Sequence, residues 1–431
     1  MKYVGKKIFG WKLSYETETF DWDIMWTDNA VQPETLAKMQ TYQKINHFPG
    51  MYSLARKNHL GRNLMRMKRA FPENFKFFPQ TFLLPSEYND FKMQFNKKKN
   101  KTFIVKPEAS CQGRGIFLTR SYESIQPGEH YVVQRYLHKP FLIDNLKFDM
   151  RVYVLLAGCD PLKIFLYDDG LGRFCTEEYI APTGENLDNV CMHLTNYAIN
   201  KDNPNFVFNE ASNADDVGHK RSLKAVMRML ESQGHDVKAL WAEIRKIIIK
   251  TFCSVQPILA HSYKSCHPDE PYNNMCFELL GFDIMLDHKL KPWLIEVNHT
   301  PSFTTDTPLD KSIKKSAIRD ALKLMNISME NKIKAKNKKR AELQQRVLTG
   351  KKVKVTPEEK QAASENAQRE RNIWEAKNCG RYTKIYPFDV YFLNKSLTEE
   401  FINRIQQKQM KIMKNLSELL TNGGRNGLEL V

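Results

Sequence analysis

The sequence predicts an α+β fold of two or three lobes followed by a basic, mainly helical extension, and three observations carry that prediction. Apolar and polar side chains alternate with a period of two in several runs between residues 81 and 181 and again at 276–298, the mark of strands with one buried face. Apolar spacing near 3.6 marks helices within 218–263 and after residue 307. At 431 residues the chain exceeds one ordinary compact domain, and its character turns polar and basic after about residue 326. The expected divisions are an N-terminal lobe (1–80), a central lobe (81–137), a C-terminal lobe (138–326) and the extension (327–431).

Composition narrows the partners without choosing one. A formal charge of +17 and a pI near 9.3 predict attraction to something acidic, whether nucleic acid, an anionic membrane or an acidic polypeptide. The eight cysteines contain no two-residue-spaced pair, which argues against a disulfide scaffold or a structural zinc site and for reduced thiols in a cytosolic protein. No apolar stretch approaches the ~20 residues of a membrane span, and the start MKYVGKKIFGWKLSYE lacks the apolar core of a signal peptide. No repeat recurs at solenoid periods.

In chain order, residues 1–80 are aromatic and mixed in charge, with a helix expected near 33–45 and turn chemistry at Asn46-His47-Phe48-Pro49-Gly50. His47 there is a capping or core histidine more readily than a catalytic one. The basic run from Lys97 to Lys101 is a loop. FIVKPEASCQGRGIFLTRS then gives a strand ending at Lys106, a loop with Gly113 and Gly115, and a second strand from Ile116. Glycines let a backbone approach phosphate closely, and Arg114 adds positive potential. The spacing is neither a P-loop nor a dinucleotide fingerprint, and a G-x-G between strands is also an ordinary hairpin.

In YVVQRYLHKPFLIDNLKFDMRVYVLLAG, two strands follow. The second sets Lys147, Asp149, Arg151 and Tyr153 on one face against Phe148, Met150, Val152 and Val154 on the other. That charged face is either a salt-bridged sheet surface or a place where Arg151 holds an anion formed in a reaction. Residues 161–181 give more short strands, with Arg173 isolated among them. HLTNYAINKDNPNF (193–206) is loop-like, with Thr195 and Asn196 offering short polar contacts. Two helical patterns, GHKRSLKAVMRMLESQG and VKALWAEIRKIIIKTFCSVQPILAHSY, lead to the stretch CFELLGFDIMLDHKLKPWLIEVN.

This last stretch is a β-hairpin with an acidic face. With His288 and Lys289 as the turn, Asp283 faces Leu294, and Leu280, Phe282, Ile284, Leu286, Trp293, Ile295 and Val297 form the core face. The other face carries Asp283, Glu296 and Asn298, with Glu296 diagonal to Asp283 at roughly 7–8 Å. It is either the solvated side of an amphipathic hairpin or a site for one or two hard cations, magnesium rather than zinc by its oxygen donors. Gly281, Met285 and Leu294 on the same face are unusual for a freely solvated surface. Beyond it, residues 331–354 hold ten Lys or Arg against one acidic residue, a net +9 of the total, and 401–420 is a plausible amphipathic helix.

Taken together, NHFPGM, FIVKPEASCQGRGI, QRYLHKPFLI, KFDMRVYVL, HLTNYAINK, CFELLGFDIMLDHKLKPWLIEVNHTPSF and TTDTPLDKSIK make the chain resemble the ATP-grasp fold of the tubulin tyrosine ligase-like family, its polyglutamylases above all, over about residues 11–325. The resemblance implies that Lys106 and the loop Gln112, Gly113, Arg114, Gly115 and Ile116 hold ATP phosphates. It places Gln134, Arg135, Tyr136 and Leu137 as a hinge against adenine, and Lys147, Asp149, Thr195 and Asn196 complete the nucleotide site. Asp283, Glu296 and Asn298 would bind magnesium, two ions by expectation, with Glu296 between them. Arg151 would steady the transferred phosphoryl group, and Arg173, Tyr197, Lys220 and Lys314 would position the incoming amino acid. Ala198 stands where some relatives have serine, which bears on amino-acid choice.

The implied activity is ATP-dependent glutamylation of acidic tubulin tails. A side-chain carboxylate is activated as an acyl phosphate and then attacked by the amine of free glutamate. The basic run would dock on microtubules, with affinity falling as salt rises. The expected setting is the cytoplasm and cytoskeleton, with cilium, axoneme or basal body, for a monomer that takes neither nucleic acid nor membrane. Two alternatives remain: a glycine or tyrosine ligase on the same fold, and a microtubule-binding protein without activity. The intact Lys106 and oxygen-donor set weigh against the second.

Overall fold

The computed structural model describes residues 1–15, 21–95, 101–108, 112–210, 214–268, 270, 273–350 and 356–387, together with Arg404 and Gln407. The architecture is α+β. The principal strands are β1 (Thr81–Leu83), β2 (Phe103–Pro107), β3 (Phe117–Thr119), β4 (Tyr131–Arg135), β5 (Leu146–Cys159), β6 (Leu162–Phe174), β7 (Lys220–Ser222), β8 (Glu278–Leu286), β9 (Pro292–Asn298) and β10 (Tyr382–Tyr386). The principal helices are α1 (Lys57–Ala70), α2 (Leu223–Ser232), α3 (Val237–Cys253), α4 (Gln256–Cys266), α5 (Pro308–Leu324), α6 (Met329–Thr349) and α7 (Pro357–Asn378).

Two sheets organise these elements. The smaller runs β1-β4-β2-β3, all antiparallel, and packs Phe82, Phe91, Phe103, Val105 and Val133 into its own cluster. The larger runs β7-β6-β5-β8-β9, with Leu142–Ile143 added beside β5 and β10 beside β6. Alternation decides its layers: Met150, Val152 and Val154 of β5 enter one core with α2, α3 and α4, whereas Tyr153, Leu155 and Ala157 enter another beneath α5. Each fully buried aliphatic or aromatic side chain contributes roughly 1.5–3 kcal/mol, so these two layers dominate cohesion.

The helices start where the sequence supplies caps. Ser222 accepts from Ala225 N at 2.9 Å before α2, Asp236 from Ala239 N at 2.9 Å before α3, and Thr307 from Asp310 N at 3.2 Å before α5. Among the described residues, no helix is long and apolar enough to cross a membrane.

Several expectations change. Residues 162–174 form one 13-residue strand in place of several short ones, and 193–206 includes a helical turn at Tyr197–Asn200. The first helix spans only Pro33–Lys38. His47 is a core histidine, donating Nδ1–H to Glu278 at 2.9 Å and facing the carbonyl oxygen of Thr27 at 2.8 Å.

The hairpin departs most. Its turn is longer than two residues: Asp287 N bonds to Lys291 O at 3.1 Å, and Leu290 takes φ +59°. The register places Ile284 opposite Leu294 but Asp283 opposite Glu296, so Ile295 is an extra residue, a β-bulge. Asp283 and Glu296 are therefore direct partners, not diagonal ones. The bulge also sends Leu294 into the core at 0% exposure, while Trp293 leaves it and donates its indole N–H to Asp287 at 2.9 Å.

C-terminal residues are joined to the large sheet more closely than an appended segment would be. Strand β10 pairs with β6, Tyr382 opposite Tyr167. From α7, Glu375 meets Lys163 of β6 at 2.9 Å, and Arg371 donates to the carbonyl oxygens of Asn273 and Ala157. The basic helix α6 has no buried residue, though its Lys332 pairs with Asp23 at 2.9 Å. The Lys97–Lys101 run except Lys101, residues 351–354 of the basic segment and the 401–420 helix, apart from Arg404 and Gln407, lie outside the described residues.

Candidate active site between the two sheets

Strand β2 carries Lys106 into the cleft that separates the two sheets. Its ammonium donates to Gln134 Oε1 of β4 at 2.6 Å, and Gln134 in turn donates to Thr81 at 3.0 Å. On β5, Lys147 donates to the hydroxyl of Tyr136 at 2.9 Å and to the carbonyl oxygen of His193 at 2.5 Å. The Tyr136 hydroxyl, already accepting from Lys147, gives its proton to His193 Nδ1 at 3.1 Å, and His193 Nε2–H donates to Asn186 O at 2.9 Å. That chain fixes the neutral tautomer of His193, in keeping with a pKa pushed down to about 4 by burial and then by Lys147. Burial also lowers both lysines to about 8, opposed at Lys106 by Glu296. Two buried ammonium groups with neutral acceptors are suited to receive an anion.

The glycine loop closes over this point. Gly113 has φ +85°, and a Cβ there would lie 2.5 Å from Ile199 Cδ1 and 3.2 Å from Asn196 Cγ. Only glycine permits both the backbone angle and the approach to 196–199. Thr195 donates to Asp149 at 2.6 Å, which ties the same segment to β5. Arg135 lies against Phe103 at 5.5 Å, and Tyr136 is buried.

Across the cleft stand oxygen donors. Asp283 of β8 and Glu296 of β9 are register partners, and Asn298 Nδ2 donates to Asp283 at 3.3 Å and to Glu296 at 3.2 Å. Burial raises the Glu296 pKa and the Asp283 charge adds to it. At Asp283 burial acts in the same upward sense, but Arg151 and Arg173 outweigh it and hold the carboxyl below its usual range. Arg151 donates to both Asp283 oxygens; Arg173 donates to Asp149 at 2.7 and 2.6 Å and to Asp283 at 2.7 Å. Arg173, solitary in sequence, is thus enclosed by carboxylates from β5 beside it and from β8 one strand further. Among the described residues, no group of three or more His, Cys, Asp or Glu could hold a metal. Two facing carboxylates with the Asn298 amide are nonetheless a donor set that fits a hard divalent cation.

A third cluster lies beside these. Lys220 of β7 meets Asp310 of α5 at 2.7 Å, and Lys314 one turn later meets the same carboxylate at 2.8 Å. The Lys220 ammonium sits 3.7 Å from the centre of the Tyr197 ring. The structure therefore brings Tyr197, Lys220 and Lys314 together around Asp310, while Arg173 is held in the neighbouring cluster. Lys57, Asp310 and His193 went unmarked in sequence. Lys57 lines, with Lys106, Gln134, Glu296 and Asn298, a cavity of about 40 Å³. Its signal was its place just after the NHFPGM motif, and that of His193 was its position opening HLTN.

Two sheets enclosing a cleft, with Lys106 on the smaller and Lys147 and the Asp283–Glu296 pair on the larger, define an α+β protein. The chain belongs to the tubulin-tyrosine ligase family, whose model matches residues 35–334. It is 64% identical over 391 residues to a probable beta-tubulin polyglutamylase of Tetrahymena thermophila, covering 90% of this chain and 33% of that protein. Tubulin polyglutamylase ttll6 of Danio rerio is 46% identical over 369 residues, 86% of this chain and 47% of its own length. Tubulin polyglutamylase TTLL6 of Mus musculus is 44% identical over 414 residues, 91% and 49% respectively. The chain thus spans about a third to a half of the length of these curated relatives.

Proposed function

We propose that this chain is an ATP-dependent amino-acid ligase that adds glutamate to the acidic tails of tubulin. The observation that carries the reading is the cleft itself: Lys106, buried against a neutral acceptor, faces across it a carboxylate pair suited to a cation, and Lys147, likewise held by neutral acceptors, stands on the same sheet as that pair. The names of the relatives supply the substrate class.

In this reading Lys106, Lys147 and the 112–116 loop bind the ATP phosphates, the segment 134–137 lies against adenine, and Thr195, Asn196 and Asp149 complete the site. Asp283, Glu296 and Asn298 would hold magnesium, as two ions, which when bound offsets charge on the phosphates. Arg151 exchanges Asp283 for the transferred phosphoryl group. Transfer to a side-chain carboxylate of the tail gives an acyl phosphate, and the amine of glutamate displaces phosphate to form an isopeptide bond. Lys220 and Lys314, with Tyr197 between the clusters, hold the glutamate carboxylates, and Arg173 positions that end of the site through Asp149 and Asp283. Orienting three anionic partners in one cleft is what so many cations accomplish. The segment 331–354 would bind microtubules by charge, placing the protein on the cytoskeleton, with cilia or basal bodies as the expected setting.

The test is incubation of the protein with microtubules, ATP and labelled glutamate, glycine or tyrosine. Glutamate alone should enter the tubulin tails. Incorporation of glycine or tyrosine instead, or of nothing, would overturn the reading.

A further inference from the structure

Tyr153 lies two residues beyond Arg151 on β5 and is 0% exposed. Its hydroxyl has no hydrogen-bond partner among the described residues. The ring is fully accounted for: it stacks on Phe303 with centroids 6.1 Å apart at 22°, and packs with Leu155, Leu309 and Ile313. A phenylalanine would satisfy all of that packing. The hydroxyl is a cost of about 1–3 kcal/mol that the folded protein alone does not repay.

Its surroundings are not those of an ordinary core residue. The charged groups acting on the hydroxyl are, in falling order, Arg151, Asp310, Arg173 and Asp283. Arg151, Arg173 and Asp283 belong to the carboxylate wall, and Asp310 is the centre of the Lys220–Lys314 cluster. Tyr153 shares its strand face with Arg151 and belongs to the cluster of Leu309 and Ile313, which flank Asp310 on α5, and so stands between the two halves of the site. Burial pushes its ionisation upward, so it is a donor and not a base.

The register explains its concealment. Tyr153 pairs with Gly281 of β8. A Cβ at Gly281 would come within 2.6 Å of Arg151 Cδ and 2.9 Å of its Nε, so the arm of Arg151 lies across the glycine beside Tyr153 while its guanidinium holds Asp283. In the acyl-phosphate reading Arg151 leaves Asp283 for the incoming anion, which draws this arm off Gly281 on the side not covered by Pro301, whose Cβ lies 3.2 Å from the same point.

We propose that Tyr153 is a catalytic residue whose hydroxyl donates a hydrogen bond to the carbonyl oxygen of the activated carboxyl group during amide formation. The inference rests on the acyl-phosphate reading above. The carbonyl carbon is the atom common to the phosphoryl side and the amino-acid side, so a donor between the two clusters meets its oxygen. The amine lone pair forms the C–N bond, and the C=O π pair moves to oxygen, where the O–H donates. That pair then returns, the C–O bond to phosphate breaks, and phosphate leaves with the bonding electrons. The nitrogen gives its extra proton to the departing phosphate. Tyr153 keeps its own proton throughout.

Tyr167 supplies the control. It is also 0% exposed, in the same apolar layer and without a described hydroxyl partner, but it lies beneath Arg381 and Tyr382. Tyr153→Phe and Tyr167→Phe should each keep or raise the melting temperature. With microtubules, saturating ATP and glutamate, Tyr153→Phe should slow amide formation by about 10²-fold. Its KM for ATP should stay within about twofold, and ADP formed per amide should rise above one as the acyl phosphate is lost to water. Tyr167→Phe should match the parent. A Tyr153→Phe enzyme with parental turnover and coupling overturns the proposal alone. So does a fall in melting temperature in step with activity, since the hydroxyl would then be structural. A parent protein that forms no amide overturns the ligase reading and this step with it.

Discussion

Lysines are buried at both ends of the large sheet, and their partners differ in a way their acidities do not. Lys163 on β6 meets Glu375 at 2.9 and 3.1 Å and Asn372 at 2.8 Å, and is 2% exposed. Lys106 and Lys147 in the cleft, 5% and 3% exposed, meet an amide oxygen, a phenol and a carbonyl. Burial depresses all three to about 8. A shifted pKa therefore does not separate fixture from binding group, but the counterion does. Lys163 carries its own anion and fastens α7 to the sheet. Lys44 bounds the rule: it too meets only neutral acceptors, both on Asn274, and burial takes it to about 7. Lys44 does not line the cavity that Lys106 shares with Glu296 and Asn298, so a neutral partner marks a binding lysine most plainly at Lys106, where that cavity adjoins it.

The strongest challenge to this contrast is Lys106→Met. Nucleotide affinity, followed by calorimetry, should fall by about 10²-fold or more, while melting temperature holds or rises because a buried, uncompensated charge is gone. A clear loss of stability would make Lys106 a fixture after all. Lys163→Met should do the reverse, costing about 1–3 kcal/mol in chemical denaturation by removing the charge-assisted bonds to Glu375, which keeps Arg371 at 2.7 Å, with nucleotide affinity within about twofold.

The pH dependence gives the smallest and sharpest contrast. Below the depressed values Lys106 and Lys147 are charged and receive an anion; above pH 8 each must be reprotonated to do so. Affinity should be level near pH 7 and decline by about tenfold per lysine for each unit above 8. Stability runs the other way. Between about pH 8 and the ordinary lysine range the unfolded chain binds more protons than the native one, so native stability should rise with pH. A melting temperature falling through that window, once other groups are allowed for, would contradict the burial of these charges.

Much of the cleft was legible because strands alternate. The faces of 147–153 and 280–286 follow from period two alone, and the glycine loop from its composition, whereas the bulge at Ile295 puts Leu294 inside and Trp293 outside, against that period. What escaped depends on chain segments far apart in sequence. Arg173 read as isolated because Asp149 and Asp283 reach it only from two other strands, β5 and β8. Asp310 joins Lys220 across 90 residues, beyond any local pattern. Strand β6 read as fragments because Asp168, Asp169 and Gly170 interrupt its apolar run, and the Arg381 pairs with both aspartates come from the C-terminal segment. Strand β10 went unread because YTKIY gains a face only when laid beside β6.

The extra residue at Ile295 has a consequence best put as parity. The turn of the hairpin sets a register that would put Glu296 opposite Phe282, on the core side; one inserted residue changes odd to even and returns Glu296 to Asp283. The bulge thus takes up one residue of length without disturbing either face. Removing Ile295 alone would let the strand run on regularly, Leu294 opposite Ile284 and Glu296 still opposite Asp283. Straightening the bulge with Ile295 kept would instead turn Glu296 to the core side and exchange the inside of the strand for its outside.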